Sequence, residues 1–110
     1  MPETIFYDPD RPKTSNYRID KSEALKFTVD GDLFATKEGT SLSSAAWTAK
    51  SGSITIGSDT EADNASTALV TISQEGESLV EVKLTFADGQ IGVVWIRITT
   101  PPVDRAITRY

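Results

Sequence analysis

The most regular hydrophobic pattern in this chain is an alternation with a period of two residues. Residues 80–86 (VEVKLTF) alternate strictly between apolar and polar side chains. Because successive side chains of a β-strand point to opposite faces, this pattern indicates a strand with one buried and one solvated face. A second run at 91–99 follows directly after Asp88-Gly89, and Asp-Gly supplies the positive-φ residues of a tight turn. The sequence therefore predicts a β-hairpin over residues 80–99.

Shorter segments upstream carry related signals. Leu25, Phe27 and Val29 alternate with polar residues before the turn sequence DGD, and further short strands are predicted at 42–48, 54–56 and 68–73. No segment shows a helical period, and the small, polar residues 59–67 are interpreted as a loop. Six or seven short strands with turns about every eight to twelve residues predict an all-β fold, a single immunoglobulin-like antiparallel β-sandwich.

Proline divides the chain into three parts. All five prolines lie in the first twelve residues or at positions 101 and 102. Proline removes a ladder donor and fixes φ, so it is excluded from central strands. The distribution predicts an extended N-terminal arm (1–13), an immunoglobulin-like sandwich (14–100) and an extended C-terminal tail (101–110). The tail is net basic, whereas the other two parts are net acidic.

The composition excludes much chemistry. The chain has no cysteine and no histidine, which removes disulfides, thiol chemistry, the commonest general base and the commonest zinc ligand. We expect no enzymatic activity and no cofactor. The net charge of −5 and the scattered basic residues argue against nucleic-acid binding. The longest apolar run, 93–96, is too short to cross a bilayer, and residues 1–4 do not start a secretion signal. We therefore expect the chain to be made in the cytoplasm and not to associate with a membrane.

One acidic segment has the spacing of a calcium-binding loop. Asp59, Glu61 and Asp63 alternate as successive oxygen ligands do in such loops. However, Asn64 stands where the sharp-turn glycine belongs, and Val70 stands where the bidentate glutamate belongs. A solvated acidic loop is therefore the better interpretation, and no metal site is expected.

The two tryptophans have different expected roles. Trp47 lies in a mid-domain strand and is predicted to pack in the core, since sandwiches commonly bury one large aromatic between their sheets. Trp95 would face outward if its neighbours Val94 and Ile96 face inward. An outward Trp95 either belongs to an interface with a partner or is covered by adjacent strands of its own sheet.

The two ends of the chain are candidate binding segments. The N-terminal arm mixes aromatic residues with prolines, and the C-terminal tail has apolar residues without a period. Such segments do not form helices, and we expect both to dock on neighbouring subunits as extended peptides. The candidate partner-binding residues are Phe6, Tyr7, Arg11, Trp95, Ile107, Arg109 and Tyr110.

Several short motifs occur in a recognisable order. Asp8-Pro9 and the sequence YRID at 17–20 precede SAAWT at 44–48 and GSITI at 52–56, and a hairpin built on a glycine turn closes the domain. In this order of elements, residues 8–99 resemble the small immunoglobulin-like structural proteins of tailed bacteriophages, of the fiber-tail adaptor, minor head or decoration type. The chain differs from compact members by extra residues around 30–39 and by its tail beyond Thr100.

The resemblance implies a non-enzymatic virion structural protein, made in the host cytoplasm. It would attach to the capsid or to the head-tail or neck region, as a decoration (cement) or an adaptor subunit. The implied partners are other phage structural proteins, namely the major capsid protein or neck and tail proteins, and further copies of the chain on the virion. The alternative is an immunoglobulin-like host-surface or carbohydrate-binding module, which would need aromatic residues clustered near loop tips.

Overall fold

The computed structural model describes residues 3–10 and 13–101. Within these ranges the chain forms nine strands and one short helix. In chain order they are β1 (Glu3–Phe6), β2 (Thr14–Arg18), β3 (Ala24–Asp30), α1 (Asp32–Glu38), β4 (Leu42–Ser51), β5 (Ile54–Ile56), β6 (Thr60–Ala62), β7 (Ala65–Ile72), β8 (Gly76–Phe86) and β9 (Ile91–Thr100). No helix among these residues is long and apolar enough to cross a membrane.

The strands form two facing sheets. Sheet A has the order β1-β3-β7-β5, with β6 also paired to β7, and sheet B has the order β2-β9-β8-β4. From β3 onward this arrangement is that of an immunoglobulin-like sandwich. The predicted all-β sandwich is thus confirmed, but the expectation of purely antiparallel sheets needs correction. The strand β1 pairs parallel with β3, and β2 pairs parallel with β9.

The predicted hairpin forms the centre of sheet B. The strands β8 and β9 pair over their whole length from Thr85↔Ile91 to Gly76↔Thr100. The alternating apolar side chains of both strands are buried against those of β3 and β7. The fully buried hydrophobic residues of this core include Phe27, Val29, Val70, Ile72, Val80, Val82, Leu84, Phe86, Ile96 and Ile98.

The N-terminal segment pairs within its own chain, whereas we expected it to dock on a neighbouring subunit. Residues 3–6 pair with 27–30 of β3, and the amide of Tyr7 continues the ladder by donating to the Asp30 carbonyl oxygen at 2.8 Å. Ile5 and Tyr7 are only 7% and 6% exposed. The segment forms a strand because its side chains alternate, with Ile5 and Tyr7 pointing inward and Phe6 outward. The alternation ends before Pro9, so every residue of the strand keeps the backbone N–H group that proline lacks. Arg11, Pro12 and residues 102–110 lie outside the described residues.

Two further expectations were wrong. The segment 59–67 is a hairpin of β6 and β7, because Asp63 and Asn64 both adopt positive φ (53° and 63°) and close a two-residue turn without glycine. Residues 32–38 form the helix α1, which ends at Gly39 with φ 67°. Two turns are too short to display a helical period, which explains why the pattern did not reveal this helix.

Trp47 packs against the core as predicted, although it is half-buried because β4 is an edge strand. Its indole N–H donates a hydrogen bond of 2.9 Å to Ser66 Oγ on β7. This bond joins the two sheets, so Trp47 ties sheet B to sheet A at the margin of the sandwich.

Candidate interaction site

A surface cavity lies at one end of the sandwich, between the N-terminal segment and α1. We call it the polar-end cleft, because it lies at an end of the sandwich where charged residues border an apolar floor. Its volume is about 330 Å³. The residues that line it are Phe6, Tyr7, Asp8, Pro9, Asp10, Leu33, Phe34, Lys37 and Glu38.

The aromatic rings of Tyr7 and Phe34 form the floor of the cleft, and both contact the ring of Phe86. The Tyr7 ring meets Phe34 edge to face at 5.2 Å between centroids, and Phe34 meets Phe86 at 4.8 Å. The Tyr7 ring also lies against Gly92 of β9, where a Cβ atom would overlap it. Aromatic pairs of this kind add about 0.5–1.5 kcal/mol to the area they bury. The floor is therefore anchored to both sheets before any partner binds.

Two large apolar side chains stand exposed at the cleft. Phe6 is 62% exposed because it alternates with the buried Ile5 and Tyr7 along β1. Leu33 is 72% exposed in the first turn of α1. An aromatic and an aliphatic side chain exposed around an apolar cavity are typical of a protein-binding surface.

The described residues at the border of the cleft are net acidic. Asp8, Asp10 and Glu38 line it together with one basic residue, Lys37. The Asp10 amide donates to Asp8 Oδ1 at 2.9 Å, which fixes the turn at Pro9. Glu38 Oε1 accepts a hydrogen bond of 3.2 Å from Gln90 Nε2, so the end of α1 is linked to the β8–β9 turn. These contacts fix the acidic groups around the cavity.

Tyr7 is the ionisable residue in the floor of the cleft. Burial, and secondarily the negative charge of Asp8, raise the pKa of Tyr7, so its phenol stays neutral at physiological pH. Among the described residues, the lining holds no serine, threonine, cysteine or histidine. Within the described ranges, no group of three or more acidic side chains is arranged to hold a metal ion.

The acidic segment of β6 makes a hydrogen-bonded network. Glu61 Oε2 accepts from the Ser66 hydroxyl at 2.9 Å, and Ser66 Oγ in turn accepts from Trp47. A hydrogen bond with Asp59, with a smaller contribution from burial, raises the pKa of Glu61 although the Ser66 bond opposes the shift. Asp59 and Glu61 lie two residues apart along an extended segment, so their carboxyl groups share one side of it.

Trp95 lies outside the cleft. It is half-buried on the outer face of sheet B, between Thr14 of β2 and Glu81 of β8, while Val94 and Ile96 are buried. Its backbone N–H donates to the Lys13 carbonyl oxygen at 2.7 Å. Neighbouring strands thus cover part of the ring, and the rest of it faces outward.

Only part of the predicted binding set meets at the cleft. Phe6 and Tyr7 both line it, Tyr7 as a buried floor residue and Phe6 as an exposed one. Arg11, Ile107, Arg109 and Tyr110 lie outside the described residues. Sequence reasoning missed Leu33 and Phe34. The signal that could have found them is an apolar pair after Asp32 in a short segment that ends at a glycine.

Comparisons with known proteins show the fold alone. No protein-family model and no curated protein match the chain. It is similar in structure to the cysteine protease inhibitor EhICP2 from Entamoeba histolytica, with 7% identity and a TM-score of 0.54 over 91% of this chain and 95% of that one. That protein is an inhibitor rather than an enzyme.

The chain is also similar to part of an endo-fucoidan hydrolase of glycoside hydrolase family 107, with 20% identity and a TM-score of 0.51. The match covers 82% of this chain but 13% of the hydrolase.

Proposed function

We propose that this chain is a non-enzymatic virion structural protein of a tailed bacteriophage, attached to the capsid or to the head-tail or neck region as a decoration or adaptor subunit. The observation that carries the proposal is the polar-end cleft, where Phe6 and Leu33 stand exposed on a preformed aromatic floor. The motif order from Asp8 to the closing hairpin supports the assignment to phage structural proteins.

The energetics of the cleft favour attachment to a protein. Covering an exposed Phe or Leu side chain stabilises a complex by about 1.5–3 kcal/mol before ordering costs. The floor does not need to rearrange, because Tyr7 and Phe34 are already packed against Phe86. A preformed apolar cavity with two exposed apolar side chains beside it suits a protein segment.

The direct test is quantitative mass spectrometry of purified particles of the phage that encodes the chain. A decoration protein would be present in hundreds of copies, and an adaptor in about six to twelve, as expected for a symmetric ring. Absence from particles would overturn the proposal. If glycan binding by the isolated chain accompanied that absence, the host-surface or carbohydrate-binding alternative would replace it.

A further inference from the structure

We propose that the polar-end cleft binds residues 103–110 of a second copy of this chain, so that subunits associate head to tail. The inference rests on the proposed binding role of the cleft and names its occupant. It has three grounds, namely the position of the cleft, the reach of the segment and the match of charge.

The cleft and the start of the segment lie at opposite ends of the sandwich. The floor residue Tyr7 contacts Gly92, at the beginning of β9, whereas β9 ends at Thr100 beside Gly76. Eight residue steps of about 3.3 Å separate Gly92 from Thr100, which amounts to about 26 Å. Residues that follow Pro101 therefore start at the end remote from the cleft.

This distance argues against binding within one subunit. A fully extended chain spans about 3.3–3.6 Å per residue, so nine residues after Pro101 reach about 30 Å. Of residues 103–110, only 109 and 110 could then touch the cleft of their own subunit. This limit does not apply in a second subunit, whose cleft Val103 and Ile107 could also reach.

The chemistry of the segment complements the cleft. The sequence VDRAITRY carries apolar side chains at Val103, Ile107 and Tyr110, and two arginines with one aspartate. Among the described residues, the cleft offers an apolar floor and three carboxylates against one lysine. Arginine pairs with carboxylates in bidentate geometry, so two arginines suit this border.

A contact of this kind has a structural consequence. Binding between different surfaces of identical subunits is heterologous, and it produces a ring when the rotation closes and a filament when it does not. Head-to-tail association therefore predicts a cyclic or filamentous assembly instead of a two-fold dimer.

Cysteine cross-linking tests the geometry, because the chain contains no native cysteine. Lys37→Cys places a thiol at the cleft, and Thr108→Cys places one in the segment. Mixing the two single variants under mild oxidation should give a disulfide-linked heterodimer. Lys83→Cys, which carries its thiol on the outer face of sheet B, is the matched control and should link to Thr108→Cys at least tenfold less. Equal linkage at Lys37→Cys and Lys83→Cys, or linkage only within one chain of the double variant, would overturn the inference.

Charge exchange provides a second measurement. In sedimentation velocity, Arg105→Glu with Arg109→Glu should weaken self-association of the full chain at least tenfold. Combining these changes with Asp10→Arg, which leaves the Asp8 side chain of the Pro9 turn in place, should restore part of it. The inference would be rejected if self-association did not change with the arginine substitutions in the segment or with the added charge reversal at the cleft. Reduced virion incorporation of a Phe6→Ala variant without any cleft cross-link would reject it too, while leaving the proposed function intact with another virion protein as the occupant.

Discussion

The ring of Tyr7 lies so close to the backbone of Gly92 that a single methyl group on Gly92 would overlap it. The contact joins the N-terminal segment to the first residues of β9. It explains why a short strand at the start of the chain belongs to the sandwich, and why the floor of the polar-end cleft is rigid.

Replacing Gly92 with alanine should destabilise the fold by about 1–3 kcal/mol, because the new methyl group displaces a buried ring. Urea denaturation followed by tryptophan fluorescence measures this change. Gly57→Ala is the matched control, since a Cβ there makes only ordinary contacts at 3.6 Å. Similar losses in both variants would contradict the packing of Tyr7.

Asn64 holds the β6–β7 turn against two other elements. Its Oδ1 accepts from the Leu42 amide at 2.9 Å, its Nδ2 donates to Asp32 Oδ1 at 3.0 Å, and its carbonyl oxygen accepts from the Gly31 amide at 2.9 Å. Asn64→Gly keeps the positive φ but loses two side-chain bonds, which should cost about 1–2 kcal/mol. Asn64→Ala should cost about 1 kcal/mol more, because alanine resists positive φ. Equal stability of the two variants in thermal melts would argue against the strained turn.

The Asp59–Glu61 pair should make stability depend on pH. Because the pKa of Glu61 is raised in the fold from its usual 4.5, the folded chain holds more protons than the unfolded chain between that value and the raised pKa. Stability from this group is therefore present at lower pH and lost as the pH rises through that window. Glu61→Gln should remove this contribution. Unchanged pH profiles of urea midpoints for the wild type and the variant would refute the shared hydrogen bond.

The outer face of Trp95 remains a second candidate surface. Trp95→Ala should leave the chain folded, because the ring is only half-buried, and should weaken its assembly into particles. Circular dichroism and particle incorporation measure the two effects separately. Loss of folding would mean that Trp95 stabilises sheet B and does not contact a partner.

The sequence predicted the centre of the fold better than its margins. The alternation at residues 80–86 and the turn at Asp88-Gly89 identify β8 and β9, because a half-buried strand imposes a period of two. The pairing of β1 with β3 was not predictable in this way, since four residues carry too few alternations and parallel pairing leaves no local turn signal.

The candidate site was predicted only in part for a related reason. Phe6 was identified by its aromatic character, but its neighbour Leu33 is distant in sequence and lies on a helix of seven residues. Such a helix is held by tertiary contacts, such as those of Phe34, more than by its own propensity. The cleft forms where the N-terminal segment packs beside α1. Each of these segments has only a short sequence signal, and no local pattern shows that the two lie together.

The most direct test of the binding role is the incorporation of a Phe6→Ala/Leu33→Ala variant into phage particles. Both side chains are exposed, so the variant should keep wild-type stability. In direct competition with the wild-type chain, the variant should be incorporated at least tenfold less, corresponding to the loss of about 1.4 kcal/mol or more of binding free energy. Leu69→Ala, which removes a 45% exposed side chain outside the cleft, should incorporate normally. Normal incorporation of the double variant would contradict the assignment of the cleft as the attachment site.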